Sequence, residues 1–193
     1  MSLEFALDKY PVNFRLRDGT ECVVRPLQRQ DEARLRKFFE AVPEAERLFI
    51  KRPLSDKRLL RDWCAKIDYE QNLTLVMLVK GKIVGEATLH QRHGGWKRHI
   101  GLLTMLTHKD FRGVDVAKLL AQEILHVAPY AGLKKLEAEL NGDRKVAIRA
   151  LMQLGFRELV RLRDYLRDMK YRPLDYVLIG IDLITDEEYA SAG

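Results

Sequence analysis

The sequence lacks the patterns of membrane proteins, of secreted disulfide-rich domains and of serine hydrolases. Its two cysteines, Cys22 and Cys64, do not form a disulfide framework or a metal-ligand pair, so we expect two buried free thiols. No apolar run approaches the roughly 20 residues that a membrane-spanning helix needs. The segment 1–10 is charged and has no apolar stretch before a cleavage site, so no signal peptide is predicted and cytoplasm is the expected compartment. The Gly-x-Ser-x-Gly nucleophile elbow of hydrolases is also absent.

Internal repeats, low-complexity segments and linkers rich in Pro, Gly or Ser are missing too. With 193 residues, the chain is long enough for one well-buried core and short for two ordinary domains. Hydrophobic residues make up 47% and charged residues 32% of it, which excludes the low hydrophobicity of a disordered chain. We therefore predict a single domain over 1–193, with its core at about 18–183.

Hydrophobic periodicity predicts an alternating series of strands and helices. Asp31 is expected to cap the first helix, and the last helix is expected to turn Val146 inward. The tail from Thr185 is expected to fray. The order β-α-α-β-β-β-α-β-α-β-β predicts an α/β (α+β) domain with a central mixed sheet and helices on both faces. The elements are expected at Glu21–Arg25, a helix after Asp31 with Leu35, Phe38, Phe39 and Val42 on its buried face, a helix from Ser55, Leu73–Val79, Ile83–His90, Ile100–Thr107, a helix over Val114–Val127, Leu133–Leu140, a helix over Asp143–Leu154, Phe156–Leu162 and Tyr176–Leu183.

The charge pattern leaves the partner open. A formal net charge of +6 is compatible with an anionic partner but does not identify one. Residues 92–118 and 157–172 are locally basic, and Tyr165 and Tyr171 lie among the cations of the second stretch. Such a mixture offers charge and stacking surfaces to a nucleic acid. Three acidic residues partly neutralise the stretch, however, and we favour a solvated strand edge.

Three histidines, His90, His93 and His99, surround the Gly94–Gly95 turn. A metal site would need further ligands within reach, and neither cysteine belongs to a ligand-spaced pair. No metal site is predicted, and the histidines are expected to be unligated surface groups.

The segment from Ile100 to Lys118 has the pattern of a strand, a turn and a helix. The first turn of a helix carries N–H groups without intrahelical partners, and the helix dipole adds partial positive charge there. A small residue such as Gly113 lets a phosphate approach this backbone, and Lys109, Arg112 and Lys118 add full charges. The turn suits a pyrophosphate, although an ordinary strand-to-helix turn explains these residues equally well.

The same turn fits a known cofactor signature, which is Arg or Gln, two residues, Gly, one residue, then Gly or Ala. Arg112 and Ala117 occupy its ends, and Gly113 forms the common Arg-Gly pair. A helix ending in Gly155-Phe156 and the opening segment 18–32 fit the same family. On these motifs the chain resembles the GNAT superfamily of N-acetyltransferases over nearly all of its core. It is loosely similar to the GNAT domains of bacterial protein acetyltransferases. The resemblance implies the GNAT fold, with a mostly antiparallel sheet.

The resemblance also implies a cofactor site. Acetyl-CoA, as co-substrate, would lie between splayed strands at Ile100–Thr107 and Leu133–Leu140, with its pyrophosphate on the N–H groups of Gly113–Ala117. Backbone groups near Leu106 and Thr107 would bind the pantetheine and polarise the acyl carbonyl. The expected cofactor-binding residues are Leu106, Thr107, Arg112, Gly113, Val114, Asp115, Val116, Ala117, Lys118 and Asn141, the last reaching the cofactor's lower arm.

Three departures from the family pattern bear on activity. Asp115 replaces the central Gly of the signature, where a carboxylate can cap the helix and would repel a pyrophosphate, so we expect weakened CoA binding with Asp115 turned away from the phosphates. Leu151 replaces the Tyr that commonly protonates the departing thiolate, and a thiol with a pKa near ~8.5 is a tolerable leaving group without it. No carboxylate lies in Ile100–Thr107, where many members keep a catalytic Glu. This leaves His99 and Glu86 as candidate bases for the attacking amine.

The sequence therefore predicts an N-acetyltransferase that moves an acetyl group from acetyl-CoA to a primary amine of a small molecule or protein by direct attack. The alternative is a catalytically weak GNAT-fold module that binds CoA or another anion as a sensor or partner. Nucleic-acid binding through the basic C-terminal third comes last. The expected partners are acetyl-CoA and an amine acceptor, without a membrane, in a monomer or homodimer.

Overall fold

A computed structural model describes residues 2–43, 57–168 and 170–183 of the chain. The described residues form one eight-stranded sheet, in the order β1-β2-β3-β4-β5-β6-β8-β7, and every neighbouring pair is antiparallel except β5 with β6. The strands are β1 (Val12–Arg15), β2 (Glu21–Pro26), β3 (Asn72–Val79), β4 (Lys82–His90), β5 (Ile100–Thr107), β6 (Lys135–Asn141), β7 (Arg157–Arg167) and β8 (Pro173–Asp182). The α-helices are α1 (Leu3–Leu7), α2 (Glu32–Ala41), α3 (Lys57–Ala65), α4 (Val116–Val127) and α5 (Lys145–Met152).

Helices cover both faces of this sheet, as the sequence predicted. On one face, α4 packs against β3, β4 and β5, and buried Leu120 and Ile124 belong to a core that includes Ala87, Leu89 and Leu103. On the other face, α2 and α3 pack over a second core. The members of this second core are Leu27, Leu35, Phe38, Phe39, Val42, Leu60, Cys64, Val76, Leu78, Ile83 and Leu106.

The helix α2 buries the apolar face that the sequence predicted, but its N-terminus differs from the prediction. Leu35, Phe38 and Phe39 of α2 are buried, and so is Val42 directly after it. Both cysteines are buried free thiols, as expected. Asp31, however, does not cap α2 with its side chain. Its fully buried carboxylate instead binds Arg25 at 2.6 Å and Arg34 at 3.0 Å and accepts the N–H of Gln28. Two cations and a backbone donor outweigh one capping bond for a buried carboxylate, and the Arg25 hydrogen bonds help to hold its pKa below the usual range against the opposing effect of burial.

Other boundaries also differ from the predictions. The short elements α1 and β1 precede the first predicted strand and were not foreseen. In α5 the inward residues are Ile148 and Leu151, whereas Val146, which was expected to be buried, is 77% exposed. The predicted helix start at Ser55 and the tail from Thr185 lie outside the described residues. Among the described residues, no helix is both long and apolar enough to cross a membrane.

The C-terminal hairpin of β7 and β8 is longer than predicted and forms the edge of the sheet. Its side chains on β7 are almost all exposed. Several of its cations are paired locally, because Arg161 contacts Glu158 at 2.7 Å and Asp175 at 3.3 Å, and Arg172 contacts Asp168 at 2.7 Å. Part of the basic charge seen in the sequence is therefore neutralised within the hairpin.

Candidate active site

Among the described residues one pair of strands, β5 and β6, is parallel, and the sheet opens into a wedge there. β5 and β6 are paired at three positions, Ile100–Leu102 with Lys135–Glu137, although both strands continue beyond them. The two strands separate past that point, so the edge of β5 from Leu103 to Thr107 has no strand partner on the β6 side. A cavity of about 1170 Å³ opens here and is lined by residues of β3, β4, β5, β6, β8 and α3.

The turn from Arg112 to Asp115 lies at the open end of the wedge, directly before α4. Gly113 has φ 77° and Asp115 has φ 73°, both in the left-handed region that favours glycine. Asp115 does not use its side chain as a helix cap, although a carboxylate here could do so: its backbone carbonyl accepts the N–H of Leu119 at 2.9 Å. Position 115 thus requires the left-handed backbone conformation, which explains why a Gly suits it.

A glycine on β4 fixes where α4 begins. A Cβ at Gly85 would lie 2.5 Å from Val116 Cγ1 and 2.9 Å from Leu120 Cδ1. The absence of a side chain lets the first turns of α4 rest directly on the strand. The N-terminal amides of this helix are thereby held beside the mouth of the wedge.

The opposite face of β4 carries a row of buried polar side chains. Glu86 and Thr88 are 1% exposed, and so is Thr74 on β3, which pairs with Thr88 in register. Thr88 Oγ1 donates to Glu86 Oε2 at 3.0 Å and lies 2.9 Å from Thr74 Oγ1. All three line the cavity, so the row connects a buried carboxyl group to the space beside β5.

Burial dominates the electrostatics of Glu86. The loss of solvent raises its pKa to about 8, and the hydrogen bond from Thr88 opposes this rise. No ion pair to Glu86 is found among the described residues. A carboxyl group with a pKa near physiological pH can both accept and release a proton there, which is the property of a general base.

A second polar row lies one step along the same face. His90 Nδ1 is 2.7 Å from Asn72 Oδ1 on β3, and His90 Nε2 is 2.9 Å from Thr104 Oγ1 on β5. All three residues are half-buried and line the cavity. No sequence pattern singles out Thr104, because Thr is common in any half-buried strand. The expectation that His90 is an unligated surface group is wrong in its placement, since this ring is held by two hydrogen bonds inside the cavity.

The two candidate bases are not brought together. His99 is exposed at the closed end of the β5–β6 pair, where its backbone carbonyl accepts the N–H groups of Lys134 and Lys135. It lines a separate cavity of about 540 Å³ with His93 and Arg98. Of the two candidate bases, Glu86 lines the large cavity and His99 does not. Within the described residues, no group of three or more His, Cys, Asp or Glu side chains is arranged to hold a metal ion.

The far wall of the cavity comes from β6, β8 and α5. Asn141 is 8% exposed, and its Oδ1 accepts the N–H of Arg144, which shapes the turn into α5. Leu151 is buried on α5 and lines the same cavity. Tyr176 pairs with Asn141 in register, and partial burial together with the carboxylates of Glu139 and Glu137 raises its pKa. Of the predicted cofactor residues, Leu106, Thr107, Ala117 and Asn141 line the cavity. The residues from Arg112 to Asp115 form the adjoining turn, and Val116 and Lys118 lie in the first turn of α4.

Comparison with known proteins gives a consistent match. The model of the acetyltransferase (GNAT) family matches residues 35–156, more than half of the chain. Among proteins with curated functions, none matches the sequence.

Solved structures share the fold at low sequence identity. The GNAT domain of PAT from S. lividans is 20% identical, with 90% of this chain and 97% of that one covered and a TM-score of 0.73. YncA from Salmonella typhimurium, solved with its cofactor acetyl-CoA, is 15% identical, with coverage of 84% and 94% and a TM-score of 0.71. Ribosomal-protein-alanine N-acetyltransferase from Brucella melitensis is 20% identical, with coverage of 83% and 99% and a TM-score of 0.71.

Proposed function

The chain belongs to the GNAT family of acetyltransferases, and from this we propose that it transfers an acetyl group from acetyl-CoA to a primary amine of a small molecule or protein. Two of the similar structures support the choice of reactants, one by its bound acetyl-CoA and one by its N-acetyltransferase name. The observation that carries the proposal is the buried Glu86 facing a cavity that opens beside the β5–β6 wedge.

In this proposal the cofactor occupies the wedge. The pyrophosphate binds the N–H groups of the turn before α4, which have no intrahelical acceptors, together with the charges of Arg112 and Lys118. The pantetheine runs along the unpaired edge of β5, and backbone N–H at Leu106 or Thr107 polarises the thioester carbonyl. The left-handed turn at Asp115 brings one negative charge near the phosphates, which weakens this binding.

The amine attacks the carbonyl carbon directly, and Glu86 receives the proton that the amine loses. An unperturbed ammonium has a pKa near ~10.4, so a base is needed for rapid attack at neutral pH. Glu86 meets this need because burial has already raised its pKa to about 8. We do not assign this role to His99, because it lies at the other end of β5. Because Leu151 occupies the position of the usual Tyr and cannot donate a proton, the departing CoA thiolate takes its proton from water.

Two measurements test the function. A thermal shift with acetyl-CoA at millimolar concentration tests binding, since a ligand of the folded state raises the melting temperature. Thiol release with a panel of primary amines and lysine peptides tests transfer. A shift without thiol release from any amine would leave a CoA-binding module, and no shift would count against the cofactor itself.

The base is tested with Glu86→Gln, which keeps the shape and removes the carboxylate. We expect kcat to fall by roughly 10²–10⁴-fold and the rise of kcat with pH near 8 to disappear. Glu70→Gln, an exposed carboxylate outside the large cavity, is the matched control. A variant Glu86→Gln that keeps half of the activity with an unchanged pH profile would remove Glu86 from the mechanism.

A further inference from the structure

The row of Thr104, His90 and Asn72 has no part in the proposed amine transfer. A hydroxyl bonded to an imidazole that is itself oriented by an amide is an arrangement that activates a hydroxyl as a nucleophile. We propose that, when no amine occupies the cavity, Thr104 attacks the thioester itself and the protein hydrolyses acetyl-CoA through an acetyl-Thr104 intermediate. The inference rests on the proposed function only in requiring acetyl-CoA in the wedge.

The hydrogen bonds fix the direction of the proton. Asn72 Oδ1 can only accept, so His90 Nδ1, at 2.7 Å, carries the proton of the neutral ring. His90 Nε2 is then the basic nitrogen, and it accepts the hydroxyl proton of Thr104 at 2.9 Å. The amide thus selects the tautomer in which the ring can act as base toward Thr104. The lone pairs of Thr104 Oγ1 remain available to an electrophile.

The position of Thr104 on β5 agrees with this role. Thr104 and Leu106 lie on the same face of the strand, because side chains alternate, and are separated by about 7 Å along it. Leu106 and Thr107 are where the thioester carbonyl is proposed to bind, and Thr104, His90 and Asn72 line the same cavity. The edge of β5 beyond Leu102 lacks a partner strand, so its N–H groups on that side can receive the negative charge of a tetrahedral intermediate.

The chemistry balances with water as the second reactant. Thr104 Oγ1 attacks the carbonyl carbon while His90 Nε2 takes the hydroxyl proton. The carbon–sulfur bond breaks, the proton on Nε2 passes to the CoA thiolate, and acetyl-Thr104 remains. Water then attacks this ester while His90 Nε2 accepts one of its protons and passes it to Thr104 Oγ1 as the ester bond breaks. Acetic acid leaves and ionises to acetate by releasing its proton to the solvent.

The inference is tested with acetyl-CoA alone in an amine-free buffer. Thiol and acetate release are followed over time, and samples quenched in acid are digested and analysed by mass spectrometry. We expect the peptide that contains Thr104 to gain the mass of one acetyl group. Thr104→Val and His90→Gln should remove this label and slow thiol release by roughly a hundredfold. His126→Ala, an exposed histidine on the last turn of α4, should change neither measurement.

Two further observations separate chemistry from damage to the fold. Each variant must keep the thermal shift with acetyl-CoA, and Thr104→Ser, which retains a hydroxyl, must keep the label. Unchanged amine-free thiol release in Thr104→Val, or no label on the wild-type protein, overturns the inference. Amine transfer without a label overturns it while the proposed function stands, whereas a label without transfer to any amine overturns the proposed function alone.

Discussion

The two faces of strand β4 show how one segment serves packing and chemistry at once. One face presents Gly85, Ala87 and Leu89 to α4 and to the larger core. The other presents Glu86 and Thr88, both almost completely buried, to the cavity. The strand is buried on both sides, and its polar side also borders the cavity. In this strand, burial therefore belongs to a hydrophobic core on one face and to the candidate active site on the other.

The largest expected effect concerns the polar face. The pKa of Glu86 is about 8 in the folded protein against 4.5 as a reference, so the folded state holds a proton that the unfolded state has lost between these values. The stability that this carboxyl contributes is complete below pH 4.5 and is lost as the pH rises to about 8. In Glu86→Gln the unfolding free energy should exceed that of the wild type by an amount that grows up to ~4 kcal/mol over this interval. Urea unfolding from pH 5 to 9 measures it.

The matched control is Glu70→Gln, which replaces an exposed carboxylate and should change the unfolding free energy little. A difference between Glu86→Gln and the wild type that does not change with pH would mean that Glu86 titrates as if solvated, and the contrast between the two faces would fail.

The next effect concerns the apolar face. Gly85→Val places a side chain where Val116 and Leu120 already lie. Its Cβ alone would lie 2.5 Å from Val116 Cγ1 and 2.9 Å from Leu120 Cδ1. We expect a loss of about 3 kcal/mol in unfolding free energy, because a close-packed contact cannot absorb the added volume. Gly94→Ala is the control, since a Cβ at Gly94 meets nothing within 4 Å, and it should change stability little. Equal losses in both variants would show that the tight contact does not determine the result.

A smaller effect is expected where the polar row is cut. Thr88→Val removes the hydroxyl that donates to Glu86 and contacts Thr74. We expect a loss of about 1–2 kcal/mol in unfolding free energy and a higher pKa for Glu86, because the bond from Thr88 lowers it. The pH profile of amine acetylation should move to higher pH, while Thr88→Ser should keep both values close to the wild type. A profile that moves to lower pH would contradict the assignment of the row.

The smallest effect is expected for a substitution in the turn before α4. Asp115→Gly suits the left-handed backbone and removes a negative charge beside the proposed phosphates, so CoA affinity should rise by at most about tenfold, or ~1.4 kcal/mol. Asp115→Asn removes the charge and keeps a residue that tolerates this conformation, which separates the two causes. Titration calorimetry with CoA measures both. An unchanged or lower affinity in Asp115→Gly would show that the carboxylate does not oppose the cofactor.

Long periodic segments made most of the fold predictable from sequence. The apolar spacing of Leu35, Phe38 and Phe39 predicted the buried face of α2, and the β-rich runs predicted β3, β4 and β5. The elements α1 and β1 escaped because four or five residues are too few to establish a period. The phase of α5 was misread for a similar reason, since Val146 and Ile148 are both apolar in a helix of eight residues.

The candidate site was predictable only in part. Glu86 was named because it lies on the strand beside Ile100–Thr107, but its burial depends on partners across two strands that no local pattern reveals. The pairing of His90 with Asn72 and Thr104 likewise depends on strand register. The left-handed conformation of Asp115 was hidden because Asp also serves as a helix cap, so its presence before α4 had a simpler explanation.

The short parallel pairing also has a consequence for how the sheet assembles. β1 to β5 pair in chain order, although the β2–β3 pairing closes the long connection between Pro26 and Asn72, and β6 pairs with β5 after the crossover from Thr107 to Lys135. Among the described residues, three residue pairs join the two halves of the sheet along this seam. A single core nevertheless runs beneath both halves, since Leu89 and Leu103 share it with Leu136. We therefore expect the two halves to unfold as one cooperative unit, even though the parallel pairing is short. The same seam is the place where the sheet is proposed to hold its substrates.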